Sequence, residues 1–389
     1  MHTSTAATGE STAPARTPGG APSGRLPLLD VLRGVAILGT LGTNIWIFAS
    51  PPAEAGPVLG WEATDDSAIG AVFAFLANGK FISMLTLLFG VGLAIQYRSA
   101  AKRGRRWPGR YHWRALFLFV EGAVHFTLIF AWDVLMGYAV AAIVVAWTLT
   151  RSRRFQRALM WTNLALHLVI MGLITAAMLA GPGSGPERDG AVEALYASGS
   201  WIEQVQFRLD NAVVFRIELV LAFPMMVFLF LAGVELFRAG AFGEDERARA
   251  IRGRLLRWGL GVGAPLTAAL MAGPSELFFA ERYVAAPFLA VGYIGLAGWI
   301  VDRARRGPLM NGLSSLGRAA LSGYVLQNLL ASAVCYGWGL GLAAGFGGSA
   351  WFAGALWLAI GVVLVVGARL WMSRFSAGPA EMLQKKLIR

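Results

Sequence analysis

The sequence is short of charge and nearly free of cysteine. Of its 389 residues only 14% are Asp, Glu, Lys or Arg, whereas a soluble domain carries about 25%. Beside a hydrophobic share of 56%, that shortage excludes an ordinary soluble enzyme. It also excludes a disordered chain, which needs low hydrophobicity. The lone cysteine, Cys335, permits no internal disulfide and no cysteine-built metal site. No Gly-rich loop ending in Lys-Ser/Thr, no His-Glu-x-x-His and no Gly-x-Ser-x-Gly occurs. Nucleotide-cradling, zinc-hydrolase and Ser-elbow chemistries therefore lack their usual signatures. Residues 1–24 lack a basic start followed by an apolar core, so no secretory signal peptide is expected there. Twenty of those 24 residues are Ala, Thr, Ser, Pro or Gly, a composition expected to stay disordered.

What the chain has is apolar length. Ten runs reach the length that crosses ~30 Å of hydrocarbon. They fall at about 29–49, 70–97, 113–131, 134–150, 159–180, 212–237, 255–272, 284–301, 319–341 and 350–372. The second contains Asn78, Gly79 and Lys80, so its helix is expected to begin near Phe81. The predicted fold class is all-α: a polytopic integral membrane helix bundle of about ten transmembrane helices. Three regions follow, a tail over 1–24, the transmembrane domain over 25–375 and a short basic tail over 376–389.

The scarce charge is unevenly placed. Lys and Arg number 34 against 22 acids, a net charge of +12. Residues 98–114 hold seven bases, 151–157 four, 238–257 six and 302–308 three. The alternate connections reverse this: 50–68 carry Glu54, Glu62, Asp65 and Asp66 without a base, and 342–349 carry no charge. Loop-by-loop alternation is the positive-inside pattern of an even number of crossings. It predicts a multi-pass plasma-membrane protein with both termini cytoplasmic, whose partner is the lipid bilayer and not nucleic acid. The connection over 181–211 and the tail from Ser376 are expected to form short interfacial helices. Oligomeric state is not encoded in these patterns.

Charged residues inside membrane helices are costly, so each is a candidate functional group. Asp30 and Arg33 share a face of the first helix, and Asn44 returns to that face about 16 Å further along. A structural cap and a functional pair fit this spacing equally well. Glu121 and His125 lie one turn apart on the third helix and form the deepest ionisable pair. A carboxylate within reach sets an imidazole's tautomer and basicity, so His125 is the candidate base and Glu121 its support. Trp132-Asp133 marks the next turn, followed by Tyr138. Lys80 sits at the mouth of the second helix. On the ninth, Arg318 precedes Tyr324, Gln327 and Asn328, a stripe expected to glue helices together. His167, alone in an apolar run, reads as structural.

Several of these residues recur in a motif series that resembles the YeiB-like family, the domain of unknown function 418. The series opens with Leu29-Asp30-x-x-Arg33-Gly34 and Asn44, then Lys80-Phe81 and Leu88-Phe89-Gly90-x-Gly92. It continues through His125, Asp133 and Tyr138 to Leu231-x-Gly233 and Arg238-x-Gly240. It closes with Gly317-Arg318-x-Ala320-Leu321-x-x-Tyr324-x-x-Gln327 and Gly378-Pro379-x-Glu381. The family is similar in turn to membrane acyltransferases, among them the type-three enzymes and heparan-α-glucosaminide N-acetyltransferase. Type-three enzymes carry a His where this chain has Asn44, which leaves His125 as the well-placed imidazole.

The resemblance implies an acyltransferase that moves an acyl group from a cytosolic acyl-CoA-like donor to a small-molecule, sugar or lipid acceptor. No tightly bound cofactor or metal is expected; the donor is a co-substrate. His125, Glu121, Asn44 and Asp133 form the expected catalytic set, with Asn44 or Lys80 facing the developing oxyanion. Asp30, Arg33, Lys80, Tyr138, Arg318, Tyr324 and Gln327 form the expected substrate-binding set. Two alternatives remain open at this point: a secondary transporter of a small metabolite and a non-catalytic partner in a biosynthetic complex.

Overall fold

The computed structural model describes residues 26–50, 67–181, 190–305 and 307–388. The tail over 1–24 and nearly all of the acidic connection over 50–68 lie outside the described residues. Within them the chain is helical, with no strand. In order the helices are α1 (Pro27–Ala49), α2 (Ala68–Ala77), α3 (Lys80–Lys102), α4 (Tyr111–Leu128), α5 (Leu135–Thr148) and α6 (Arg153–Ala180). Two short helices follow, α7 (Gly190–Ser198) and α8 (Trp201–Asp210), then α9 (Ala212–Leu221), α10 (Phe223–Ala239) and α11 (Glu246–Met271). The rest are α12 (Ala286–Arg303), α13 (Pro308–Arg318), α14 (Ala320–Cys335), α15 (Leu342–Phe346), α16 (Ala350–Arg374) and α17 (Pro379–Leu387).

Five spans are long and apolar enough to cross a membrane: α1, α2 with α3, α6, the stretch Ser275–Arg303, and α16. A sixth joins α9 to α10 across a 46° bend. The bend falls where Pro224, near the start of α10, withholds a backbone N–H. The other four apolar runs coincide with α5 and α14, which are shorter than 18 residues, and with α4 and α11, which are long enough but less apolar. The outer helices show which solvent they suit. The apolar window of α6 is only 11% buried, and Leu173 is 67% exposed. An apolar surface of that extent suits hydrocarbon, where the backbone is already satisfied within each helix.

α1 is the opposite case, with 83% of its window buried. Leu32, Ala36, Leu41, Ile45, Trp46 and Phe48 are fully enclosed. The packing of α1 on α13 depends on two glycines: a Cβ on Gly317 would stand 1.7 Å from the Asp30 carbonyl, and one on Gly34 2.1 Å from that of Leu313.

The second run divides where its Asn78-Gly79-Lys80 places the start of the helix: Gly79 adopts φ +72°, a left-handed turn that glycine accommodates at little cost, and α3 starts at Lys80. The ninth run needs correction. The run at 319–341 ends at Cys335, and Arg318 closes a separate helix, α13, instead of opening the ninth crossing. A turn of π-helix over Glu281–Ala285 precedes α12; such bulges often mark functional sites.

Candidate functional site

The polar residues of the bundle gather in one chain of hydrogen bonds. α4 ends at Leu128, and the backbone N–H of Phe130 bonds back to the His125 carbonyl at 3.0 Å, which turns the following loop over the helix end. The loop brings Asp133 to His125: Nδ1 lies 2.9 Å from Asp133 Oδ2. The second carboxylate oxygen accepts the Leu135 N–H at 2.9 Å, at the start of α5. Arg216 of α9 fixes the same loop, donating to the Asp133 carbonyl at 2.9 Å and to the Ala131 carbonyl. Its guanidinium lies 4.2 Å over the Phe126 ring.

The other ring nitrogen meets α14. His125 Nε2 is 3.1 Å from Asn328 Nδ2, and Asn328 Oδ1 accepts Asn44 Nδ2 at 3.1 Å. An amide N–H that faces Nε2 requires a lone pair there, so the ring proton sits on Nδ1 toward the carboxylate. The order Asp133–His125–Asn328–Asn44 thus fixes one tautomer with every donor meeting an acceptor. His125, Asp133, Asn44 and Asn328 are all buried. Tyr324 packs its ring 5.1 Å from the imidazole, with its hydroxyl 3.5 Å from Asp133 Oδ2.

Two cavities flank this chain. One, of about 310 Å³, is lined by Arg33, Arg114 and Arg318 above an apolar floor of Leu85, Leu88, Phe89 and Leu118. Leu118 lies two turns before His125 on α4, roughly 10 Å along the axis. The other, of about 40 Å³, is lined by Asn44, Trp132, Asp133, Glu218, Arg282 and Tyr283. Ile47, Ile82, Phe215 and Met226 line it as well, so its wall is mixed, and its size suits water or a single small group.

The expected residues divide accordingly. His125, Asp133 and Asn44 belong to one network, with Asn44 acting through Asn328. Glu121 makes no hydrogen bond to His125; its Oε2 is buried without a partner, and the carboxylate on the imidazole is that of Asp133. Asp30 and Arg33 form an ion pair at 3.6 Å, and Arg33 and Arg318 share the larger cavity. Lys80 is fully buried, paired with Glu281 and bonded to the Ala74 carbonyl. Lys80 thus belongs to the Glu281 pair and not to the His125 network. The Tyr138 hydroxyl donates to the Ile82 carbonyl at 3.1 Å and accepts from the Thr86 hydroxyl at 3.0 Å. Gln327 is fully buried with neither amide atom hydrogen-bonded, so it glues no helices together. His167 bonds the Tyr283 carbonyl at 2.9 Å, as a structural histidine does.

Two groups are not visible in the sequence pattern. Arg114, in a run of loop bases, faces the larger cavity. Asn328 does join α14 to α1 through Asn44, as its stripe predicts, and in addition it meets the imidazole. Glu218, Arg282 and Tyr283 form a second buried group, with Arg282 also reaching Asn78 Oδ1 at 2.6 Å and Asn78 bonded to Glu281. The last was hidden because its members lie far apart in sequence.

Comparison with known proteins bears on the whole chain. The family model described as "Protein of unknown function (DUF418)" matches residues 236–389. The uncharacterized protein YeiB of Escherichia coli (strain K12) is 27% identical over 387 residues, covering 92% of this chain and 95% of its own. These matches support the resemblance to the YeiB-like family. A second relative, the uncharacterized YxaH of Bacillus subtilis (strain 168), is 27% identical over 343 residues, 82% of this chain and 83% of its own. Both alignments reach beyond the span of the family model.

Proposed function

We propose that this YeiB-like protein is a plasma-membrane acyltransferase with ten crossings, both termini cytoplasmic and an acyl-CoA-like donor entering from the inner side. The observation that carries the reading is His125: a buried imidazole with Nδ1 on a carboxylate and its Nε2 lone pair toward Asn328, on the helix whose Leu118 lines the arginine-rich cavity. The alternating loop charge puts the cavity of Arg33, Arg114 and Arg318 on the inner side, where guanidinium groups suit phosphate. The apolar floor toward Leu118 suits an acyl chain.

The chemistry follows from the hydrogen bonds. An acceptor hydroxyl or amine takes the place of the Asn328 N–H on His125 Nε2. Its proton moves to Nε2 as its oxygen or nitrogen attacks the thioester carbonyl, and Asp133 stabilises the imidazolium that forms. The amide N–H groups of Asn328 and Asn44 face the oxyanion. Collapse breaks the carbon–sulfur bond, and the proton on Nε2 leaves with the thiolate.

The test uses purified protein in liposomes with acyl-CoA and a pool of membrane lipids and small metabolites. Wild type releases free coenzyme A; His125→Asn folds and does not. Retained turnover in His125→Asn refutes the mechanism. A proton-coupled carrier is the second reading, favoured by the buried chain of Lys80, Glu281, Arg282 and Glu218. It predicts flux driven by a pH gradient and no release of coenzyme A.

A further inference from the structure

The segment Gly378-Pro379-Ala380-Glu381 lies outside the mechanism above, yet it is built into the larger cavity. α14 begins at Ala320 after a break at Ala319, which supplies no side-chain cap. The first-turn N–H groups of a helix need acceptors. Here they come from another helix, about 60 residues on. Glu381 Oε1 accepts the Leu321 N–H at 2.8 Å, and Oε2 accepts the Ser322 hydroxyl at 2.6 Å. The Ser322 hydroxyl accepts the Ala380 N–H at 3.0 Å, which closes the contact. Gly378 leaves no room for a side chain: a Cβ there would stand 2.3 Å from Glu381 Oε2 and 2.6 Å from Ser322 Oγ.

The junction held this way is the one that joins the cavity to the imidazole. Arg318, on the near side of the break, lines the cavity and donates to the Ser376 carbonyl at 3.3 Å. Asn328, on the far side, bonds His125, roughly 10 Å along the helix from Leu321. Glu381 and Gln384 of α17 complete the cavity wall, and Arg114 donates to Gln384 Oε1 at 3.3 Å.

We propose that Glu381 is a positioning residue that caps α14 in trans, and that α17 is the wall closing the donor cavity. Resting on the acyl-donor reading, it assigns the coupling between donor binding at Arg318 and the set of Asn328 on His125. A carboxylate at a helix N-terminus also meets the helix dipole favourably.

The experiment is amide exchange read by mass spectrometry on the full chain in nanodiscs, with coenzyme A as the probe. In wild type, coenzyme A slows exchange over 376–388. In Glu381→Ala, exchange over 319–325 rises roughly tenfold, the scale of a lost cap, and coenzyme A binds roughly tenfold more weakly. Glu381→Gln keeps an oxygen for the Leu321 N–H and restores both to within about threefold of wild type. If Glu381→Ala does not fold, Ser322→Ala is the milder variant and is expected to shift both readouts the same way. Unchanged exchange over 319–325 overturns the cap. Raised exchange with undiminished coenzyme A binding overturns the coupling. Absence of coenzyme A binding in wild type refutes the donor reading and the coupling with it, while the cap is decided on exchange alone.

Discussion

Asp133→Asn tests the site most severely, because the side chains differ by one proton-bearing group and not by shape. In the native chain three donors point the same way: His125 Nδ1 to Asp133, Asn328 Nδ2 to His125, and Asn44 Nδ2 to Asn328. The Leu135 N–H claims one oxygen of residue 133, so in the variant the amide oxygen stays there and the NH₂ faces the imidazole. Nδ1 must then lose its proton and Nε2 gain one. That new N–H meets the Asn328 NH₂, which must turn, and its turn obliges Asn44 to turn too. The charge-assisted bond lost is worth ~1.5–3 kcal/mol, and a single amide that fails to turn leaves a buried donor at a further ~1–3 kcal/mol. The expected destabilisation is therefore about 1.5–3 kcal/mol if every amide turns and about 2.5–6 kcal/mol if one does not, read by equilibrium unfolding in detergent. Acyl transfer is expected to fall by ~10³–10⁴, since the base now carries its proton on the wrong nitrogen. Nitrogen-15 spectra of ring-labelled histidine, assigned with His125→Asn, read the tautomer directly. A wild-type ring protonated on Nε2, or a variant with unchanged tautomer and a loss below ~0.5 kcal/mol, refutes the directional network.

Other substitutions separate the site from its scaffold. Lys80→Met strands a buried Glu281 and is expected to cost ~3–5 kcal/mol, whereas adding Glu281→Leu recovers much of it; additive losses in the unfolding cycle rule out the pair. Gly317→Ala drives a methyl into the Asp30 carbonyl, with an expected loss at or above ~3 kcal/mol and poor recovery of monodisperse protein. Glu121→Gln is expected to leave the His125 tautomer unchanged; a switched tautomer there restores Glu121 as the ring's partner. For the ten-crossing topology, in a Cys335→Ala background, an impermeant maleimide in intact cells is expected to label Ser200→Cys and spare Arg103→Cys. The reverse labelling pattern inverts the assigned sides.

The membership of the site was legible in the sequence to a degree that its connectivity was not. In a bundle this apolar, a buried His, Asp, Asn or Arg is too costly to be incidental, so scanning for polar residues in greasy runs finds His125, Asn44, Asp133, Arg33 and Arg318. Which of them touch is a different kind of question. Helical spacing ranks Glu121 first for His125 because both lie on α4, one turn apart. It says nothing of a loop that folds back over the end of the same helix. That loop is fixed in part by Arg216, 83 residues beyond Asp133, which bonds the Ala131 and Asp133 carbonyls. The same limit hid the ring contact of Asn328, which lies 203 residues from the ring it bonds, and the cap on α14, whose Glu381 sits 60 residues from Leu321. The run boundaries divide in the same way: Asn78-Gly79-Lys80 marks the start of α3 in the sequence, whereas hydropathy carries the ninth run past Cys335, where α14 ends. Each failure lies where tertiary contact, not local propensity, supplies the missing acceptor. A polar residue in an apolar run is therefore a reliable marker of place, while its partner is found by asking which backbone or side-chain donor nearby still lacks one. On that criterion Gln327 stands out among the described residues: it is fully buried and neither of its amide atoms is matched there.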